Sequence, residues 1–272
     1  MSSAVQVSAF DLQGHRGARG HAPENTLPGF ERALAFGVNT FELDVGVSRD
    51  GVVVVHHDRR LNPDLARGPD GRWVAAPAPL IRELSFDELQ RYDVGRIRPG
   101  SEYSRRFPHQ QPIDGARIPA LSELFERYLP GTVRFNIELK LLAEAPEETL
   151  SPEPFARAVV AVVRKAGMER RCTLQSFDWR PLALVERQAP EIATAYLTER
   201  EDSDPAQVAA AGASTWSPDF QALTAATSAA ARALGLRVIP WTVNDPADIH
   251  RMLGLRVDGM ISDYPDRVKQ AL

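Results

Sequence analysis

Residues 40–45 read TFELDV and residues 133–140 read VRFNIELK, two short apolar runs in which carboxylates alternate with apolar side chains. Side chains alternate between the two faces of a strand, so Glu42 and Asp44 are expected on the same face. Runs of similar character predict strands at residues 9–13, 40–45, 52–56, 133–139, 172–175, 192–197, 237–243 and 259–261. The chain is therefore predicted to form a sheet of many short strands.

Amphipathic stretches lie between these runs and predict helices at residues 27–36, 154–166, 180–188, 205–211, 222–234, 246–253 and 265–271. Pro28 falls in a first helical turn, and Gly37, Gly167 and Gly235 follow last turns, where such residues are common. Strands that alternate with helices indicate parallel βαβ units. We therefore predict an α/β fold, a (β/α)8 TIM-type barrel, with a doubly wound open sheet as the alternative.

One segment, residues 59–118, interrupts the alternation, because it is rich in Pro, Gly and Arg and contains one short helical pattern at residues 86–92. Loops longer than about 12–15 residues are uncommon in compact domains unless they are functional. We interpret this segment as a lid-like insertion over one end of the barrel; a flexible surface loop is the alternative. A barrel of about 250 residues then accounts for residues 1–272 as a single domain.

The composition excludes several classes of protein. The 272 residues include 32 basic and 36 acidic ones, a net charge of −4 that disfavours a nucleic-acid binder. The single cysteine, Cys172, excludes an internal disulfide and a cysteine-rich zinc site. The N-terminal residues do not resemble a secretory signal, and no long apolar run predicts a membrane span. A cytoplasmic protein without stable membrane insertion is expected, and the oligomeric state is left open.

Chemically active side chains follow four of the predicted strands, at the end where the loops of a parallel barrel carry function. They are His15 and Arg16 after the first run, Glu42 and Asp44 in the second, His57 after the third, and Glu138 and Lys140 in the fourth. Three carboxylates this close would repel one another without a cation between them. Oxygen ligands favour Mg²⁺ or Ca²⁺, and the two histidines have ordinary pKa values near 6.5 that suit proton transfer.

These residues resemble the HR, ExD and HD signature of the glycerophosphodiester phosphodiesterase family, at residues 15–16, 42–44 and 57–58. The surrounding blocks GHRGARGHAPENTLPGFERAL, ELDVGVSRDGVVVVHHD, IELK, LQSFD, PWTVN and DGMISDYPD are also similar to the family's blocks, in the same order. The resemblance covers residues 11–58 and 118–268. It departs from the family after the HD pair, where many members carry a threonine-rich stretch and this chain has LNPDLARG. The headgroup preference is therefore left open.

The resemblance implies metal-dependent hydrolysis of glycerophosphodiesters to sn-glycerol 3-phosphate and an alcohol. It implies a divalent metal on Glu42, Asp44 and Glu138, and His15 and His57 as general acid and base, in an order that it does not specify. Arg16 and Lys140 are expected to bind the phosphate. Gln175, Phe177 and Trp241 match later family blocks and are expected at the substrate, with Trp241 as an apolar wall.

Other interpretations of the same residues remain open at this stage. Asn25 or Thr26 could cap the helix that follows, and Asp58 could orient a neighbouring side chain. The same barrel could cleave lipid phosphodiesters, as a lysophospholipase D-like or sphingomyelinase D-like enzyme does. A barrel that senses phosphate or metal is a non-enzymatic alternative, but binding alone needs no pair of proton carriers.

Overall fold

A computed structural model describes residues 10–201 and 203–272. Its strands are β1 Asp11–Gly14, β2 Thr40–Val47, β3 Val53–Val55, β4 Arg134–Leu139, β5 Cys172–Ser176, β6 Ala193–Thr198, β7 Thr215–Pro218, β8 Arg237–Val238 and β9 Gly259–Ser262. Its α-helices are α1 Leu27–Ala35, α2 Phe86–Leu89, α3 Glu102–Arg106, α4 Leu121–Tyr128, α5 Pro152–Ala166, α6 Trp179–Gln188, α7 Pro205–Ala210, α8 Ala225–Ala233, α9 Pro246–Gly254 and α10 Pro265–Ala271. The predicted start of the first strand, Ala9, lies outside the described residues.

Eight parallel strands form a nearly closed barrel in the order β8-β7-β6-β5-β4-β2-β1-β9. Backbone hydrogen bonds bring its two ends together, because Asp258 N–H donates to Val238 O at 2.9 Å and Ile261 N–H donates to Pro240 O at 3.0 Å. The predicted TIM-type barrel is confirmed, and the open sheet is excluded.

Two predicted strands differ from the structure and one was missed. The run at 52–56 is not a barrel strand; β3 pairs antiparallel with the far end of β2, with Val45 opposite Val55. The run at 237–243 is a strand only at Arg237–Val238, because Pro240 has no N–H for a ladder bond. The sixth barrel strand, β7 at Thr215–Pro218, was not predicted, since TWSP contains a serine and a proline and no long β-branched run.

The main hydrophobic core lies between the barrel and its helices. Outward side chains of β2 and β4, among them Phe41, Leu43, Phe135 and Ile137, are fully buried there. The alternate residues on the same strands point into the barrel and are polar. Glu42, Asp44 and Glu138 are therefore buried inside the barrel by the same alternation that buries the core.

The insertion, residues 59–118, is ordered around a small core of its own. Leu61, Ala66, Ile81, Leu89 and Ile118 pack together with Val54 of β3 in this cluster. The predicted helix at 86–92 is shorter than expected, Phe86–Leu89, and begins with a capping box between Ser85 and Glu88. None of the helices in the two described ranges has both the length and the apolar character needed to cross a membrane.

Candidate active site

Three buried carboxylates form a cluster at the carboxyl ends of β2 and β4. Oxygen atoms of Glu42, Asp44 and Glu138 all lie within 4.8 Å of one another. Burial, together with repulsion from Asp44 and Glu138, raises the pKa of Glu42 well above its usual range. Burial also raises the pKa of Glu138, to about 7. The cluster is thus electrostatically unfavourable by itself, which is the condition that a bound cation relieves.

Two cations contact this cluster from the side. Lys140 Nζ lies 2.7 Å from Glu138 Oε1 and 3.3 Å from Asp44 Oδ1. Arg16 Nε lies 3.3 Å from Asp44 Oδ2. Burial opposes ionisation of Asp44, but Lys140 and Arg16 hold its pKa well below the usual range. Asp44 is therefore the permanent anion of the cluster.

The residues present fit a divalent cation. Asp44 Oδ1 is buried and accepts no hydrogen bond in the described part of the chain, although Lys140 lies near it. Its other oxygen, Oδ2, accepts a hydrogen bond from Asn25 Nδ2 at 2.9 Å. A carboxylate fixed on one side with an unsatisfied oxygen on the other is suited to metal ligation. Its partners in the cluster offer oxygen only, which favours Mg²⁺ or Ca²⁺ over softer metals.

His15 follows β1 and lies beside the carboxylates, with its side chain 12% exposed. Its Nδ1 pairs with Asp263 Oδ1 at 2.7 Å, and its Nε2 lies 3.8 Å from Glu42 Oε2. Arg19 donates to both oxygens of Asp263, with Nε at 2.7 Å from Oδ1 and Nη2 at 3.2 Å from Oδ2. Burial and Arg19 lower the pKa of His15 to about 4, against the opposing effect of Asp263. His15 is therefore neutral at pH 7, with Nε2 towards the cluster.

His57 reaches the same site by a different route. β2 continues past the barrel, and the antiparallel β3 returns the chain so that His56 N–H donates to Asp44 O at 2.9 Å. The next residue, His57, pairs through Nδ1 with Asp58 Oδ1 at 2.7 Å. Asp58 is held in turn by Asn62 Nδ2 at 2.7 Å, so its orienting role is supported over metal ligation. Burial lowers the pKa of His57.

A cavity of about 500 Å³ opens above these groups. Nine of the ten sequence-predicted site residues line it: His15, Arg16, Glu42, His57, Glu138, Lys140, Gln175, Phe177 and Trp241. The tenth, Asp44, is absent from the lining and fully buried next to it. The rings of Phe177 and Trp241 meet edge to face at a centroid distance of 5.2 Å and form an apolar wall.

Gln175 is held by protein groups on both sides of its amide. Its Nε2 donates to Glu42 Oε1 at 2.8 Å, and its Oε1 accepts from Asn136 Nδ2 at 2.9 Å. Asn136 also donates to Gln13 Oε1 at 2.8 Å, deeper in the barrel. This chain of amides sets the orientation of Gln175, and therefore gives Glu42 a fixed donor.

Several further residues surround the site that were not predicted from the sequence. Arg19, Asn62, Tyr103, Arg106, Glu199 and Thr242 line the cavity, and Asp263 lies behind His15. Arg19 and Asp263 are in blocks that the resemblance had marked, GHRGARG and SDYPD, so a signal for them existed. No local pattern marks Tyr103 and Arg106, because they come from the insertion. The helix α1 is capped by Thr26, whose Oγ1 accepts from Gly29 N–H, so Asn25 is not the cap.

The fold and the site together define an enzyme of the TIM-barrel class, with its chemistry at the carboxyl ends of the strands. The model of the glycerophosphoryl diester phosphodiesterase family matches residues 15–267. The chain belongs to this family.

Individual relatives agree with this assignment. A glycerophosphodiester phosphodiesterase of Bacillus altitudinis is 30% identical to the chain over 93% of its length and 94% of the relative's. The crystal structure of a candidate glycerophosphoryl diester phosphodiesterase from Silicibacter pomeroyi is 38% identical, with a TM-score of 0.91, and covers 97% of this chain and 92% of that one. A phosphodiesterase of Oleispira antarctica, solved with the product sn-glycerol-3-phosphate, is 25% identical with a TM-score of 0.76, covering 97% and 96% of the two chains.

A pH dependence of stability follows from the raised pKa of Glu138 in metal-free protein. Folded Glu138 keeps its proton up to about pH 7, whereas the unfolded group loses it near its ordinary value of 4.5. Its stabilising contribution is therefore present below pH 4.5 and is lost as the pH rises to 7. With EDTA present, the Tm of the wild type should fall across this window relative to that of Glu138→Gln. Parallel Tm profiles for the two proteins would contradict this assignment.

Proposed function

We propose that this protein hydrolyses glycerophosphodiesters to sn-glycerol 3-phosphate and an alcohol, with a divalent metal and two histidines. The observation that carries the proposal is the meeting of the carboxylate cluster with His15 and His57 around one cavity. Each histidine has its Nδ1 on a carboxylate, which fixes the ring and leaves Nε2 for proton transfer. Membership of the family and the product complex of the Oleispira relative support the same reaction.

Substrate binding is proposed to rest on charge. Among the described residues, seven carboxyl groups and four cations surround the site: Glu24, Glu42, Asp44, Asp58, Glu138, Glu199 and Asp263, and Arg16, Arg19, Arg106 and Lys140. With all of these groups ionised, the balance is negative and would repel an anionic phosphodiester. We propose that Glu42, Asp44 and Glu138 hold Mg²⁺ or Ca²⁺, which supplies the positive charge that neutralises the phosphate oxygens when bound. Arg16 and Lys140 then contact the phosphate and stabilise the charge that develops on it.

The histidines move the protons in this proposal. One of His15 and His57 accepts the proton of the glycerol hydroxyl next to the phosphate as that oxygen attacks phosphorus. The other donates a proton to the leaving alcohol, and a cyclic phosphate results. Water then opens the ring with the two proton transfers reversed, and glycerol 3-phosphate is released. General acid–base catalysis of this kind contributes roughly 10²–10⁴-fold to a rate.

Gln175, Phe177 and Trp241 are proposed to contact the substrate along the rest of the cavity wall. Trp241 Nε1 donates to Ser217 O at 2.9 Å, so its ring is held in place as an apolar surface. Gln175 contacts the phosphate region while its amide holds Glu42.

We further propose that residues 1–272 form one domain, in which the insertion is a lid over the barrel. The cytoplasmic location of the protein and the absence of nucleic-acid binding also stay predictions.

A direct assay separates the proposed reaction from the lipid alternative. Purified protein with Mg²⁺ or Ca²⁺ is expected to release glycerol 3-phosphate from glycerophosphocholine, glycerophosphoethanolamine or a related water-soluble diester. Lysophosphatidylcholine serves as the matched lipid substrate. Faster release of choline from the lysolipid than from glycerophosphocholine would favour the lysophospholipase D-like alternative. If the protein hydrolyses no diester with either metal, the proposal is contradicted, and the non-enzymatic alternative, a barrel that senses phosphate or metal, is favoured.

A further inference from the structure

Tyr103 lies on α3 of the insertion and makes two polar contacts with charged side chains of the loop that follows β1. Its hydroxyl donates a short hydrogen bond to Glu24 Oε2, and it accepts one from Arg19 Nη1 at 3.2 Å. The other oxygen of Glu24, Oε1, accepts from Arg16 Nη1 at 2.8 Å. One phenol thus connects to two arginines of the site, directly to Arg19 and through Glu24 to Arg16.

We propose that Tyr103 is a positioning residue through which the insertion completes the phosphate-binding site of the barrel. This inference rests on the proposed function, in which Arg16 contacts the substrate phosphate. A hydroxyl can donate to the anion and accept from the cation at once, so a tyrosine satisfies both Glu24 and Arg19. Glu24 is then fixed between Tyr103 and Arg16, and the Arg16 guanidinium is held in one position before the substrate arrives.

The surroundings of α3 support a rigid connection to the barrel. Phe107 follows the helix and is 5% exposed, and the Arg19 guanidinium lies 4.6 Å above the centre of its ring. Gln110 Nε2 donates to Arg19 O at 2.7 Å. The insertion is therefore anchored on the loop after β1, because it contacts both the side chain and the backbone carbonyl of Arg19. Tyr103 points from this anchor into the cavity that holds the catalytic candidates.

Alternative roles for the phenol are less consistent with its contacts. Burial and the carboxylate of Glu24 raise the pKa of Tyr103, so the phenol keeps its proton and does not serve as a base. Its ring packs against Phe107 at a centroid distance of 5.1 Å, which fixes its direction. A purely structural role would require only this packing. Removing the hydroxyl alone therefore distinguishes a role in positioning Glu24 and Arg19 from a role in packing.

The decisive variant is Tyr103→Phe, which keeps the ring and deletes the hydroxyl. Loss of a hydrogen bond to a charged group should weaken phosphate binding by roughly 10–150-fold. Calorimetric titration with inorganic phosphate and with glycerol 3-phosphate, in the presence of Mg²⁺, gives the Kd of each ligand without turnover. The same variant should raise KM for a glycerophosphodiester more than it lowers kcat. Unchanged affinity for both phosphates would overturn the proposal, even if the Tm falls.

Tyr92→Phe is the matched control, because Tyr92 packs against the insertion's own core and its hydroxyl makes no hydrogen bond within the described residues. This variant should bind phosphate as the wild type does. An equal loss of affinity in both variants would assign the effect to a loosened insertion and overturn the specific role of Tyr103.

A double-mutant cycle tests the route through Glu24. If Tyr103 acts by fixing Glu24, Tyr103→Phe should cost clearly less phosphate affinity in a Glu24→Gln background than in the wild type. Fully additive losses would mean that Tyr103 acts without Glu24, and would overturn this part of the proposal. The phosphate titrations are independent of turnover. If the wild type binds phosphate but hydrolyses no diester, the proposed function is contradicted. The titrations of Tyr103→Phe would still test whether Tyr103 positions the phosphate-binding groups.

Discussion

Replacing His57 by alanine is expected to lower kcat for a glycerophosphodiester by roughly 10²–10⁴-fold, the usual contribution of a general acid or base. The imidazole lines the cavity, and within the described residues it pairs with one carboxylate, Asp58, at 2.7 Å. Its removal should therefore leave the carboxylate cluster and the fold intact. Steady-state kinetics measures the loss, and a metal-induced rise in Tm shows that the variant still binds the cation.

The neighbouring histidine provides a control within the same segment. His56 is 8% exposed and its Nε2 lies 3.3 Å from Arg60 O, away from the cavity. His56→Gln keeps a polar side chain of similar length and should retain near wild-type kcat. If His57→Ala also retained near wild-type kcat, the assignment of His57 as a proton carrier would be wrong. If His56→Gln lost as much activity as His57→Ala, the loss would reflect distortion of the hairpin.

Removal of the metal is expected to have the second large effect. EDTA should abolish measurable hydrolysis, and Mg²⁺ or Ca²⁺ should restore it. The raised pKa values of Glu42 and Glu138 mean that the cluster takes up protons when no cation is bound, and the positive charge that neutralises the phosphate oxygens is then missing. Binding at about 100 times Kd should stabilise the fold by roughly 2.7 kcal/mol and raise the Tm by about 5 °C. Activity that persists in EDTA-treated protein, with metal loss verified by elemental analysis, would contradict the metal-dependent mechanism.

The variant Glu138→Gln tests whether the carboxylate cluster causes the metal dependence of activity and Tm. The amide resembles the protonated carboxyl, and its oxygen can still accept from Lys140 Nζ. The variant should therefore stay folded in EDTA but lose the metal-induced rise in Tm and most of the activity. Glu144→Gln, at an exposed carboxylate of the loop that follows β4, is the matched control and should behave as the wild type. A normal metal response in Glu138→Gln would exclude Glu138 as a ligand.

The barrel could be predicted from the sequence because local patterns specify most of its strands and helices. Apolar runs at 40–45, 133–139 and 172–175 agree with β2, β4 and β5 within two residues at each end. The prediction failed where tertiary contacts, not local propensity, decide the conformation. TWSP becomes β7 because β6 and β8 supply its hydrogen-bond partners on both sides. The run at 52–56 has a strand pattern, but its residues do not specify that β3 pairs antiparallel with β2 and lies outside the barrel.

His57 lines the cavity, but the chain brings it there by a different path from the predicted one. It was predicted at the site as the residue after a parallel barrel strand. In the structure, the extension of β2 and the return along β3 bring it beside Asp44 instead. Both paths end at the same edge of the barrel, so His57 lies at the cavity although the predicted barrel strand was wrong.

By itself, the sequence determined the alternation that turns Glu42, Asp44 and Glu138 into the barrel, and the strand ends that carry His15 and Lys140. These features depend on a period of two within single strands, which any reader of the sequence can count. Only the tertiary structure decided that Asp263 orients His15, that Asn25 supports Asp44, and that the insertion sends Tyr103 to Glu24. The physical reason is separation along the chain: partners 79 or 248 residues apart are joined by packing, and no local pattern encodes their distance.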